Sequence, residues 1–86
     1  MSKELQSTRQ GIPLFEELPI AIHDVTGNTL ALGKGALKGS NFGTFRPKGE
    51  LPWDLDSARF VVIGDSVPVP VCRAYFLGGG SIIWFF

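Results

Sequence analysis

Eleven glycines and six prolines punctuate this 86-residue chain, and they constrain its fold more than any other feature. In a helix interior a Gly costs about 1 kcal/mol and a Pro about 3 kcal/mol relative to Ala, so residues spaced this way leave no room for a helical bundle. They favour short strands joined by turns. A chain this short builds one hydrophobic core and no second. Its apolar fraction of 44%, with seven Phe and two Trp, is too high for a disordered segment. The expected fold is therefore all-β: a small antiparallel β-barrel or strongly bent sheet of roughly five or six strands, in the SH3-like or OB-like size class. Residues 13–86 form this single β domain, and residues 1–12, polar and without periodicity, read as a flexible N-terminal arm.

Leu18, Ile20 and Ile22 alternate along one face of a first strand. Thr26-Gly27-Asn28 makes a hairpin turn, because Gly and Asn accept the positive φ that such turns need. The returning strand is expected to send Leu30 and Leu32 inward. The next inward residue, Leu37, lies at an odd spacing, which calls for a bulge at Gly33 or Gly35 that curls the sheet. Pro13 to Leu18 reads as a short turn packing Phe15 on the body. Residues 46–57 read as one long loop in which Leu51, Trp53 and Leu55 alternate and lie folded down. Ala58 to Ile63 is apolar on both faces, hence a central strand, and Gly64-Asp65-Ser66 turns the chain. Val67, Val69 and Val71 then share one face while Pro68 and Pro70 share the other. Proline lacks the ladder N–H, so this segment is an edge. Pairing resumes from Cys72 to Leu77, Gly78-Gly79-Gly80 is a turn, and Ser81 to Phe86 is the last strand.

Chemistry-bearing patterns are sparse. His23 and Cys72 are the only imidazole and the only thiol, neither within a recognisable motif. Glu16-Glu17 and the pair Asp54 and Asp56 read as solvated charge, and no spacing suits a metal. The glycine run at Gly33, Gly35 and Gly39 fails both phosphate-loop templates: Lys38 stands where the dinucleotide pattern needs Gly, and Gly35 stands where the triphosphate loop needs Ser or Thr. No cofactor is expected, and a binding module is favoured over an enzyme.

Eight basic residues balance eight acidic ones, so any electrostatic function is local. From Asp24 to Glu50 no acidic residue intervenes, and Lys34, Lys38, Arg46 and Lys48 lie in that gap with Phe42 and Phe45. Cations beside aromatics on a sheet face suit single-stranded nucleic acid, because phosphates pair with the one and bases stack on the other. Lys38 to Phe45 is similar in part to the RNA-recognition signature of a basic residue and Gly followed by aromatic-Gly-aromatic. It departs from it at Ser40-Asn41 and at Thr44. Trp53, in the long loop, suits an anchor for a protein partner. The favoured reading is a protein-binding adaptor or assembly subunit; the alternative is a single-stranded nucleic-acid binder using residues 34–48.

A lone Cys and a polar start without a signal-peptide pattern place the chain in the cytoplasm as an expectation. The longest apolar run, Ile82 to Phe86, is too short to span a bilayer. That run has its own consequence. Ile83 and Phe85 point one way and Ile82, Trp84 and Phe86 the other, so both faces need cover. Either the segment around Leu14 and Phe15 supplies it or a second subunit does, and a homo-oligomer is expected.

Overall fold

The computed structural model describes residues 12–49 and 54–86. Its strands are β1 (Leu18–His23), β2 (Thr29–Leu37), β3 (Phe42–Pro47), β4 (Phe60–Ile63), β5 (Val69–Pro70), β6 (Arg73–Phe76) and β7 (Ile82–Phe85). A short 3₁₀ helix, Leu55–Ser57, precedes β4. All seven strands form one antiparallel sheet in the order β5-β4-β1-β2-β3-β7-β6, curled into a half-barrel. The stretch from Val67 to Leu77 contributes two strands, β5 and β6, which lie at opposite ends of this order.

Two residues connect those ends. Val71 donates its N–H to the carbonyl of Arg59 (2.9 Å), just before β4, and Cys72 donates to the carbonyl of Phe85 (2.7 Å) in β7. Adjacent residues thus bond to opposite flanks of the sheet, and only a curled sheet brings those flanks so close.

The β1–β2 hairpin forms where the alternation and the Thr26-Gly27-Asn28 turn place it. Gly27 has φ 88°, and the Asp24 carboxylate accepts hydrogen bonds from Thr26 N–H (2.9 Å), Thr26 Oγ1 (2.8 Å) and Asn28 N–H (2.9 Å). One detail of β2 is corrected. Ile22 pairs with Ala31 and His23 with Thr29, so the extra residue is Leu30, at the hairpin and not at the glycines. A one-residue shift exchanges faces. Ala31, Gly33, Gly35 and Leu37 point inward, and Leu32, expected inside, points out with 54% exposure. Gly33 and Gly35 serve close approach instead: a Cβ on Gly33 would overlap the carbonyl of Arg46 and one on Gly35 that of Thr44. The Phe45 ring fills the space they leave.

The core is built by Ile20, Ile22, Leu37, Val61, Ile63, Ile82 and Trp84, all fully buried, with Phe45 at 2% exposure. Each such side chain contributes roughly 1.5–3 kcal/mol by transfer from water. Ile12, which the sequence assigned to the arm, is also buried.

β7 lies inside the sheet, between β3 and β6. Its inward residues Ile82 and Trp84 are buried, and Phe86 packs against the core. The outward Phe85 is flanked by Phe42 and Tyr75 of the same chain. The Leu14–Phe15 segment goes elsewhere: Leu14 bridges to Leu37, and Phe15 N–H donates to the Leu37 carbonyl (2.8 Å). Leu14 is the residue packed on the core, while Phe15, expected to pack on the body, is 65% exposed with φ 62°.

In the segment read as a loop, Arg46 and Pro47 complete β3 and Leu55 is buried in the 3₁₀ helix. Leu51 and Trp53 lie outside the described residues. β5 is an edge strand, as its prolines require. Val69 and Val71 are buried there, whereas Val67 is exposed.

Candidate functional site

The pairing register assigns the outer face residue by residue. Val62 of β4, Ala21 of β1 and Leu32 of β2 form one cross-strand row. Pro19, Lys34 of β2 and Arg46 of β3 form the next. The first row is apolar. The second sets two cations directly opposite each other, an arrangement that destabilises a sheet unless an anion joins it. Among the described residues, neither Lys34 nor Arg46 has an ion-pair partner.

These rows border a groove of about 480 Å³ lined by Pro19, Ala21, Leu32 and Val62, with Lys34, Arg46 and Lys48 along its side. Lys48 is held there by its own backbone, whose N–H donates to the Leu32 carbonyl (2.6 Å). A second, more polar groove of about 340 Å³ includes Phe15, Glu17, Lys34, Lys38, Thr44, Arg46 and Ser81. Lys34 and Arg46 belong to both grooves. The four basic residues singled out in the sequence thus border adjoining grooves, and all four are exposed.

The two phenylalanines of that segment part company. Phe45 points inward, 5.9 Å from Trp84 between ring centroids, and is unavailable to a ligand. Phe42 stays on the outer face and stacks on Phe85 (5.9 Å, 28°), which stacks on Tyr75 (5.8 Å, 30°). A three-ring ladder therefore runs across β3, β7 and β6. Trp53 lies outside the described residues.

Comparison with family models, curated proteins and solved structures finds no match to this chain. What it can do rests on its own residues. Neither the His23 imidazole nor the exposed Cys72 thiol forms a side-chain hydrogen bond with a described residue. The described residues hold no group of three or more His, Cys, Asp or Glu side chains placed to ligate a metal. They include no helix long and apolar enough to cross a membrane. The Asp24 carboxyl titrates below its ordinary value, chiefly because the Thr26 hydroxyl donates to it, and it is committed to the hairpin turn.

Pro19, Ala21 and Val62 were not among the site residues read from sequence, nor were Phe85 and Tyr75. Alternation already turned Pro19 and Ala21 away from Ile20 and Ile22. Gathering them with Val62 requires knowing that β4 pairs with β1, a partnership across about forty residues.

Proposed function

We propose that this domain is a non-enzymatic binding module, a protein-binding adaptor or assembly subunit. Its outer groove accepts an extended segment of a partner protein that carries an apolar side chain beside acidic residues. One observation carries this reading: an apolar floor of Pro19, Ala21, Leu32 and Val62 next to three exposed cations, Lys34, Arg46 and Lys48. An apolar anchor buried on that floor contributes roughly 1.5–3 kcal/mol. Carboxylates beside the cations add about 0.2–1 kcal/mol each, because these pairs remain in water. A single peptide is accordingly a weak ligand, with Kd of about 0.1–1 mM.

The alternative, single-stranded nucleic acid, is supported by the four cations on the same outer face as the Phe42–Phe85–Tyr75 ladder. It is the weaker reading. Both faces of the Phe85 ring are occupied by its neighbours, which leaves bases only the outer faces of Phe42 and Tyr75.

Titration of the isotope-labelled protein with a Leu/Glu-alternating peptide, a Leu/Lys-alternating peptide and oligothymidine separates the readings. The acidic peptide is expected to shift resonances of Ala21, Leu32, Lys34 and Val62, and Leu32→Asp or Lys34→Glu with Arg46→Glu to weaken it at least tenfold. No shift by the acidic peptide at millimolar concentration and low salt would overturn the proposal. Oligothymidine binding that falls steeply with salt would establish the alternative.

A further inference from the structure

The second groove carries more positive charge than an apolar anchor needs, and the strand pairing fixes how that charge is laid out. Lys38 N–H donates to the Phe42 carbonyl (3.1 Å), which extends the β2–β3 register by one residue beyond the strand end. Alternation then puts Lys34, Ala36 and Lys38 on the outer face of β2, with Arg46 and Thr44 of β3 opposite Lys34 and Ala36. The small pair Ala36 and Thr44 is therefore the centre of the patch. Lys34 and Arg46 stand in the row on one side of it and Lys38 in the row on the other. Ser81, which lines the same groove, adds a second hydroxyl to that of Thr44.

Among the described residues none of these three cations has an ion-pair partner, and neither hydroxyl has a hydrogen-bond partner. Glu17 also lines the groove and pairs with none of the cations. One carboxylate among three cations leaves a surplus of two positive charges. A ligand carboxylate would bring one negative charge and two oxygens. A phosphate monoester brings roughly 1.5–2 negative charges at pH 7 and three strong acceptor oxygens. It balances the surplus, accepts from the Arg46 fork through two oxygens at once, and still offers an oxygen to Lys38 or a hydroxyl.

We propose that this groove takes a phosphorylated side chain of the same partner segment whose apolar residue lies on Pro19, Ala21, Leu32 and Val62, and in this it rests on the reading of that floor as a peptide site. Leu32 and Ala36, which mark the two sites, lie four residues apart on β2. That is roughly 13 Å, or about four residues of an extended ligand. An even spacing keeps both ligand side chains facing the sheet. A strand of nucleic acid fits less well, because its successive phosphates would meet Glu17 as well as the cations.

Titration of the isotope-labelled protein tests it with peptides that carry one Leu and, four residues before or after it, phosphoserine, Glu or Ser. In the better order the phosphoserine peptide is expected to bind roughly fivefold or more tighter than the Glu peptide, and to shift Ala36, Lys38, Thr44 and Ser81 as well as Leu32. Lys38 borders the second groove and not the first. Lys38→Ala is therefore expected to remove most of that gain and leave the Ser peptide unchanged, while Glu17→Gln strengthens the phosphoserine peptide. A smaller gain, or one indifferent to Lys38→Ala, overturns the proposal and leaves the groove reading to stand on the Glu peptide. A phosphoserine peptide that binds equally well with its Leu replaced by Ser upholds the phosphate site and overturns the groove reading instead. Inorganic phosphate or oligothymidine that displaces the phosphoserine peptide at equal concentration assigns the cations to a free ion or to nucleic acid, and overturns the proposal as well.

Discussion

Gly43→Ala places a single methyl group against the largest side chain of the core, Trp84. Gly43 pairs with Trp84 across β3 and β7, and its added Cβ would lie 2.5 Å from Trp84 Cζ2, 2.6 Å from Cη2 and 2.8 Å from the Ala36 carbonyl oxygen. Carbon atoms rest at about 3.5–4.0 Å, so the overlap is close to an ångström. Trp84 has nowhere to retreat: it is fully buried, with Phe45 at 5.9 Å and Phe86 at 6.3 Å between ring centroids. Overpacking of this kind costs about 1–3 kcal/mol, offset by about 0.4–1 kcal/mol because Ala stiffens the unfolded chain. The net loss, centred on about 1.3 kcal/mol and reaching about 2.6 kcal/mol, is large against the roughly 5 kcal/mol expected of so small a domain. Thermal unfolding followed by circular dichroism is expected to show Tm lowered by roughly 5–20 °C. Trp84→Phe removes both offending ring atoms, and with them an indole N–H that is buried without an acceptor among the described residues. In the Trp84→Phe background Gly43→Ala is expected to cost at least about 1 kcal/mol less than in the native one. A Gly43→Ala protein melting within about 2 °C of the native one, or strictly additive effects in the double variant, would refute the argument.

Two further outcomes are expected. Because folding depresses the Asp24 carboxyl, the stability it adds is full above its unfolded value near 3.8 and is lost as pH falls through the folded value. The stability gap between the native protein and Asp24→Asn should therefore be present at about pH 6 and close toward about pH 2, and a gap constant over that range counts against the turn's charge. Amide exchange should be faster at Val67 and Val69 than at Val61 and Val62; equal protection would contradict the placement of β5 at an edge.

What could be read in advance was local. Ile20 and Ile22 alternate, Gly27 and Asn28 turn, Pro68 and Pro70 refuse a neighbour, and each of these acts within a few residues. The inward phase of β2 failed because Leu30 bulges at the hairpin, and one residue of slip sent Leu32 to the surface. That error concealed the floor of the groove. Phe42 and Phe45 look alike in sequence, yet being three apart on a strand they face opposite sides, one toward Trp84 and one toward Phe85. The four cations of the acid-free segment were legible as a group because β2 and β3 are a hairpin, so neighbours in sequence are neighbours in space. The ladder was not, since Phe42, Phe85 and Tyr75 meet only through the strand order β3-β7-β6. In β7 the two apolar faces were legible, but not what lies on them: the core takes Ile82 and Trp84, while Phe42 and Tyr75 flank Phe85.

The link between Val71 and Cys72 ties together parts of the chain that would otherwise be free to open separately. On one flank β4 is joined to β1, on the other β7 to β3, each partnership spanning roughly forty residues. Peeling away either flank pulls directly on the other through a single peptide bond. The half-barrel therefore has no independent halves to lose: partial opening is suppressed, and unfolding proceeds as one cooperative event. Formation is slowed by the β1–β4 and β3–β7 partnerships, each of which closes a loop of roughly forty residues, and this places folding among the slower, millisecond-to-second class of small domains.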